Sequence, residues 1–245
     1  MQKAPKLKLD NKTKPLKSAV ERAAHDCATC PSKDNSILCA DPGAVDIIDK
    51  VKVTCKFEKD QNIFLAGTTP LGLFSIQSGL VKLETVSEGG TSHTLRLHKP
   101  GDVLGYRALF SNQTYQATAI AIEDTVVCFI PKNEILCLFN SHPHLMLNFI
   151  QYLSKDLGTA ELKWLDQMDK AALARVAEAI LFLTEQFDHS PWSRKEIADW
   201  AGTTSETVIR TLSQFEKEGL IRLDGKHIKI LDQLGLENAT KQLAR

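Results

Sequence analysis

Residues 194–212, RKEIADWAGTTSETVIRTL, change character at Gly202. Before it, Ile197, Ala198 and Ala201 share one face of a short helix, and Ala198 is small enough for a second helix to cross closely. Gly202 tolerates the left-handed backbone that ends a helix. After it, Val208, Leu212 and Phe215 recur at i, i+4 and i+7, the inner face of a second helix. Upstream, residues 171–187 carry another helical pattern. Downstream, residues 220–223 and 226–231 flank Asp224-Gly225, a two-residue hairpin signal. Three helices, the last two joined by a tight turn and followed by a hairpin, predict a winged helix-turn-helix.

The second helix of that pair would present Ser205, Glu206, Ile209 and Arg210 outward from its N-terminal end. In a major groove, arginine pairs with guanine O6 and N7, and glutamate accepts from the cytosine N4 amino group. Each good base contact contributes about 1–3 kcal/mol of discrimination. Lys195, Lys226 and Lys229 are candidates for phosphate or base contacts. The same letters have a plainer reading. Thr203-Thr-Ser-Glu206 is also a capping box, and Glu206 with Arg210 is also an ordinary i,i+4 ion pair. Residues 169–231 hold nine Lys/Arg and ten acids. That argues against nonspecific backbone binding, though not against a dimer that reads a groove.

Working toward the N-terminus, Leu145, Phe149, Leu153, Leu157, Ala160, Trp164 and Met168 recur in steps of 4, 4, 4, 3, 4 and 4. This predicts one long helix over residues 140–168, roughly 36 Å from its apolar stretch of about 24 residues at 1.5 Å each. The stripe reads as a dimer seam, with Leu145, Phe149, Leu153, Leu157, Ala160 and Trp164 against a partner helix. Packing on the chain's own barrel is the alternative. From residue 51 to 135, short alternating runs are broken by Gly67, Gly79, Gly89-Gly90 and Gly101, the pattern of a closed β-roll or barrel. The fold class is therefore α+β: an N-terminal β-roll of the jelly-roll type, a long dimerisation helix, and a winged helix-turn-helix over residues 169–245.

The first 22 residues carry seven Lys/Arg and two acids with almost nothing to anchor a core, and read as a disordered basic tail. Residues 23–50 form a cysteine-rich segment. Over the 245 residues, 43% are hydrophobic, and 30 Lys+Arg balance 30 Asp+Glu, which excludes wholesale disorder and a strongly basic nucleic-acid coat. No apolar run reaches the ~20 residues of a membrane span, and no apolar core follows the basic start, so a cytoplasmic protein is expected. No cluster of His and carboxylates suggests a catalytic centre, so no enzyme is expected. Clustered cysteines in a reducing cytosol read as metal or redox ligands. Cys55 and Cys137 read instead as packed thiols.

The order of glycine-punctuated roll, long helix and winged helix resembles the cyclic-AMP receptor protein/FNR superfamily of bacterial transcription regulators. Gly101-Asp-Val-Leu-Gly105 and the E-T-x-x-R of residues 206–210 carry the resemblance. It implies a homodimer on a palindromic operator with TTGAT-like or TGTGA-like half-sites. It also implies a contact with RNA polymerase through the roll loop Ser87, Glu88, Gly89 and Gly90. Cyclic-nucleotide binders of this family carry Gly-Glu and Arg-Ser pairs. Here Tyr106 follows Gly105 and the second region reads Thr114-Tyr-Gln-Ala117, so a cyclic nucleotide is not expected. Cys27-x2-Cys30-x8-Cys39 with the distant Cys128 is similar to the FNR branch, which implies an oxygen-labile [4Fe-4S] cluster on four thiolates. Zinc on the same four cysteines is the alternative. A thiol switch, or a heme or small-molecule effector in the roll, would leave no such cluster, and His25 is a reserve fourth ligand.

Overall fold

The computed structural model describes residues 26–90, 92–187 and 192–243. The basic tail and His25 lie outside these residues. Three successive 3-10 turns, Cys27–Thr29, Lys33–Asn35 and Ile37–Cys39, lead into helix α1 (Pro42–Val51). Asp41 caps α1 by accepting from Gly43 N, and Pro42 occupies the first turn, where a missing N–H leaves no bond unmade. Val51, expected to open a strand, therefore ends a helix.

The roll follows: β1 (Val53–Phe57), β2 (Asn62–Phe64), β3 (Gly72–Ser78), β4 (Val81–Val86), β5 (Ser92–His98), β6 (Val103–Leu104), helix α2 (Tyr106–Ser111), β7 (Thr118–Ala121) and β8 (Thr125–Pro131). Its strands form two antiparallel sheets, ordered β1-β8-β3-β6 and β2-β7-β4-β5. Ile63, Ile76, Val81, Leu104, Ala119 and Val127 pack between them. Strand residues alternate faces, so Cys128 and Ile130 point away from Val127, to the outer side of the first sheet. There they are covered by Leu38, Ile48 of α1, Ile135 and Leu138 of α3 (Lys132–Ser141), and the start of α4 (Pro143–Asp169).

Helix α4 runs for 27 residues and corrects the expected seam. Leu145 and Phe149 are buried in the chain's own core, with Leu153 packed against it. Leu157, Trp164 and Met168 are exposed, and so is Ala160. Met146, Leu147, Ile150, Leu162 and Leu165 join them as exposed apolar side chains. The reason is geometric. At 3.6 residues per turn, each four-residue step overshoots a full turn by about 40°. A row of such steps therefore winds from the roll side of the helix to its opposite side. The exposed residues Ile150, Leu157 and Trp164 are spaced by seven, the repeat of a coiled-coil seam. Midway along α4, Asp156 is tied to the roll by the Arg96 guanidinium and by the Tyr106 hydroxyl, which donates at 2.8 Å.

The C-terminal head comprises α5 (Ala172–Gln186), α6 (Arg194–Ala201), α7 (Ser205–Lys217), β9 (Ile221–Asp224), β10 (His227–Ile230) and α8 (Gln233–Ala239). Ile180, Leu183, Ile197, Val208, Leu212 and Phe215 form its core, joined by Leu80 from the roll. Trp200 stacks on Phe182 with ring centroids 4.7 Å apart, and the Lys163 ammonium of α4 lies 3.5 Å over its ring. No helix among the described residues is long and apolar enough to cross a membrane.

Candidate nucleic-acid interface and thiol pocket

Helix α6 begins with a capping box. Ser193 Oγ accepts from Glu196 N at 3.2 Å, and Glu196 Oε2 accepts from Ser193 N at 2.7 Å. It ends at Gly202, whose φ of 62° is the left-handed conformation expected of that glycine. Helix α7 is capped by Thr204, which accepts from Thr207 N. Thr204 rather than Thr203 is thus the N-cap of α7, so residues 203–206 do not form the capping box read there; the box at Ser193–Glu196 of α6 is a separate one. No ion pair joins Glu206 to Arg210 among the described residues.

Val208, Leu212 and Phe215 turn inward and are buried. Glu206, Ile209 and Arg210 are exposed on the opposite face, with Ser205 half-buried beside them and Lys195 exposed on α6. The backbone N–H at the start of α7 and the Thr204 hydroxyl hold the Glu206 carboxyl below its ordinary range, so it stays an acceptor. Strands β9 and β10 pair antiparallel with Asp224 opposite His227. The loop is thus Gly225-Lys226, one residue later than read. Arg194 Nη2 donates to Gly225 O at 3.1 Å and fastens this wing to α6. Arg222, Lys226 and Lys229 are exposed on it.

In the N-terminal half, Cys27, Cys30, Cys39 and Cys128 line one small cavity of about 20 Å³, with Ser32, Leu38, Ile48, Ser75, Gln77 and Ile130. The 3-10 turns supply Cys27 and Cys39, and Cys30 closes the first of them. Strand β8 supplies the fourth, between Thr54 of β1 and Ser75 of β3. All six cysteines of the chain are free. Burial pushes the Cys27 thiol up to about 12 and raises Cys39 and Cys128 as well. Lys52 Nζ donates to Cys27 Sγ at 2.9 Å and pairs with Asp49 at 2.7 Å. The Lys52 ammonium and the Cys27 N–H hold the Asp49 carboxyl down at about 2. Gln77 Oε1 is buried here with no hydrogen-bond partner among the described residues.

The donor chemistry suits a thiophilic metal group, since four thiols and no carboxylate or imidazole line the cavity. Its size is another matter. A space of about 20 Å³ holds one water-sized body. Among the described residues, no three His, Cys, Asp or Glu side chains stand close enough to grip a metal ion. A four-iron group would require the 3-10 turns to move outward. Cys55 packs against the roll core, whereas Cys137 is exposed on α3 and is not the packed thiol expected.

A larger cavity of about 580 Å³ opens in the roll, lined in part by Phe64, Arg96, Tyr106, Arg107, Tyr115 and Leu153. Sequence reading missed Arg96 as a lining residue because it precedes the family's ligand motif. Its charge is met by Asp156. The turn holding Ser87, Glu88, Gly89 and Gly90 joins β4 to β5 and is exposed.

A family model described as the cyclic nucleotide-binding domain matches residues 54–142, and one described as the Crp-like helix-turn-helix domain matches residues 174–239. The chain is 32% identical over 211 residues to "Electron transport regulator A" of Shewanella oneidensis, covering 82% of this chain and 83% of that one. It is 29% identical to "Transcriptional activator protein FnrA" of Stutzerimonas stutzeri, covering 90% and 94%. Among solved structures, a CRP/FNR-family transcriptional regulator of Thermus thermophilus superposes with a TM-score of 0.67 at 28% identity, over 78% of this chain and 100% of that one. FixK2 of Bradyrhizobium japonicum, at 24% identity and a TM-score of 0.70 over 79% of this chain and 100% of that one, shares the fold. With a sheet-rich N-terminal domain, a long helix and a helix-turn-helix domain in that order, the chain belongs to the CRP/FNR family of transcription regulators, which are not enzymes.

Proposed function

We propose that this regulator responds to oxygen or redox state through a [4Fe-4S] cluster held by Cys27, Cys30, Cys39 and Cys128, and binds palindromic TTGAT-like sites as a cytoplasmic homodimer. One observation carries the sensing half: four cysteines from opposite ends of the sensor unit line a single buried cavity. The relatives' names, "Electron transport regulator A" and "Transcriptional activator protein FnrA", support the same reading. When bound, such a cluster supplies oxygen-labile iron–thiolate bonds. The chain's own residues do the rest. Cys27, Cys30 and Cys39 hold the N-terminal turns against Cys128 of β8, while Leu38 and Ile48 bury the same core as Leu145 and Phe149 of α4. Fixing the turns thus bears on the position of the long helix. Ser205, Glu206, Ile209 and Arg210 read bases, Lys195 makes a phosphate or base contact, and the exposed seam of α4 pairs two subunits. The turn at residues 87–90 is the candidate RNA polymerase contact, and its exposure supports that role.

Zinc on the same four thiols is the second reading, favoured by a cavity the size of one small body. Protein purified without oxygen decides between them. About four irons and four sulfides per chain, bleaching in air, are expected. Cys30→Ser should abolish the iron, while Cys55→Ser and Cys137→Ser should retain it. Stoichiometric zinc without iron would overturn the cluster.

A further inference from the structure

Arg175 lies in the first turn of α5, just past the break from α4, and its guanidinium reaches three backbone carbonyls. Nη1–H donates to Lys170 O at 2.6 Å, Nε–H to Ala201 O at 3.0 Å, and Nη2–H to Gly202 O at 3.3 Å. Lys170 is the extended residue that closes α4. Ala201 and Gly202 are the end of α6 and the turn of the helix-turn-helix. Gln167, in the last turn of α4, donates from Nε2 to the same Ala201 O at 3.4 Å. It lies so close over the turn that a β-carbon on Gly202 would stand 2.4 Å from its Oε1.

The last carbonyls of a helix lack partners within the helix. At α6 the final one, Ala201 O, and the Gly202 carbonyl that follows it are met by side chains rooted on either side of the break between α4 and α5. A guanidinium carries its donors in a rigid planar fork, so it fixes direction as well as distance; an ammonium is a point charge on a flexible stem. The clasp is therefore an angular constraint between the long helix and the base-reading head. Neither Arg175 nor Gln167 belongs to the base-reading set.

We propose that Arg175, with Gln167 as a second strut, is the positioning residue that sets the angle of each head on α4 and so determines which half-site spacing the dimer accepts. The proposal rests on the reading of this chain as a dimer on a palindrome. Two recognition helices must meet half-sites about one DNA turn apart, roughly 34 Å and 10–10.5 base pairs. One base pair more or less shifts a half-site by about 3.4 Å and rotates it by about 35°. A stiff joint penalises that misfit, and a loosened joint absorbs it.

The test uses the full chain, kept anaerobic, with a palindrome selected from random duplexes by the wild-type protein. Fluorescence anisotropy measures binding to that palindrome, to versions with one base pair added or removed at the centre, and to versions with one base changed in each half-site. Wild-type protein should lose about tenfold or more per base pair of spacing error, the scale of one mismatched contact. Arg175→Gln and Arg175→Lys should both shrink that penalty to within about threefold while retaining the same half-site base preferences. Gln167→Ala, at an exposed position, should shrink it less and serves if the Arg175 variants do not fold. An unchanged spacing profile in folded Arg175→Gln, or in Gln167→Ala where the former does not fold, overturns the clasp. A wild-type protein indifferent to spacing overturns instead the palindromic-dimer reading on which the clasp depends.

Discussion

Arg210 and Glu206 sit one turn apart on the exposed side of α7, with Ile209 between them, and no ion pair ties the two together. Arg210 is thus not held by Glu206, and the Glu206 carboxyl is met only from the cap of its own helix, which leaves the pair on the exposed face where a base-reading pair must lie. Arg210→Ala should weaken operator binding by about 1–3 kcal/mol and relax preference at one base pair, read by titrating operators with each half-site base replaced. Equal losses on every sequence would make Arg210 a phosphate contact. This face was legible in the sequence because Val208, Leu212 and Phe215 fix the inner side of the helix by period alone, leaving the outer side by exclusion. The wing loop was misplaced by one residue, since Asp224-Gly225 and Gly225-Lys226 are both acceptable two-residue turns and only the pairing of Asp224 with His227 separates them. Arg175 and Asp156 were not legible. Their partners come from segments far along the chain, and no local pattern announces such a contact.

At the scale of the element, α4 serves two surfaces at once. Its first turns complete the core beneath the thiol pocket, while its exposed side carries Ile150, Leu157 and Trp164. Two substitutions should separate these duties. Leu145→Ala removes a fully buried side chain and should lower unfolding stability by about 2–5 kcal/mol while leaving the dimer in place. Ile150→Glu places like charges across the proposed seam and should shift the protein toward monomer in sedimentation, with little change in thermal melting of the single chain. The reverse pattern would put the seam where the apolar row alone suggested it. Periodicity revealed the helix and its apolar character. It did not reveal the winding of a four-residue row, which becomes visible only once the roll occupies one side.

Across the whole molecule, three units are linked in series. The thiol pocket shares its core with the start of α4, Asp156 ties the middle of α4 to the roll, and Arg175 with Gln167 joins its end to the head. Cysteine spacing made the N-terminal ligand group legible, and the resemblance to a known branch nominated Cys128. The fold brings that residue beneath the 3-10 turns because β8 is an inner strand whose outer face they cover. The ~20 Å³ cavity could not be foreseen, since volume depends on packing rather than on pattern. On the proposed function, the state of the four-cysteine site governs operator binding. The direct measurement is the dissociation constant for one operator, taken on a single anaerobic preparation before and after air is admitted, with iron and sulfide followed in parallel. Binding should weaken by about tenfold or more as iron is lost, a coupling of about 1.4 kcal/mol. Unchanged affinity after the iron has gone would contradict it.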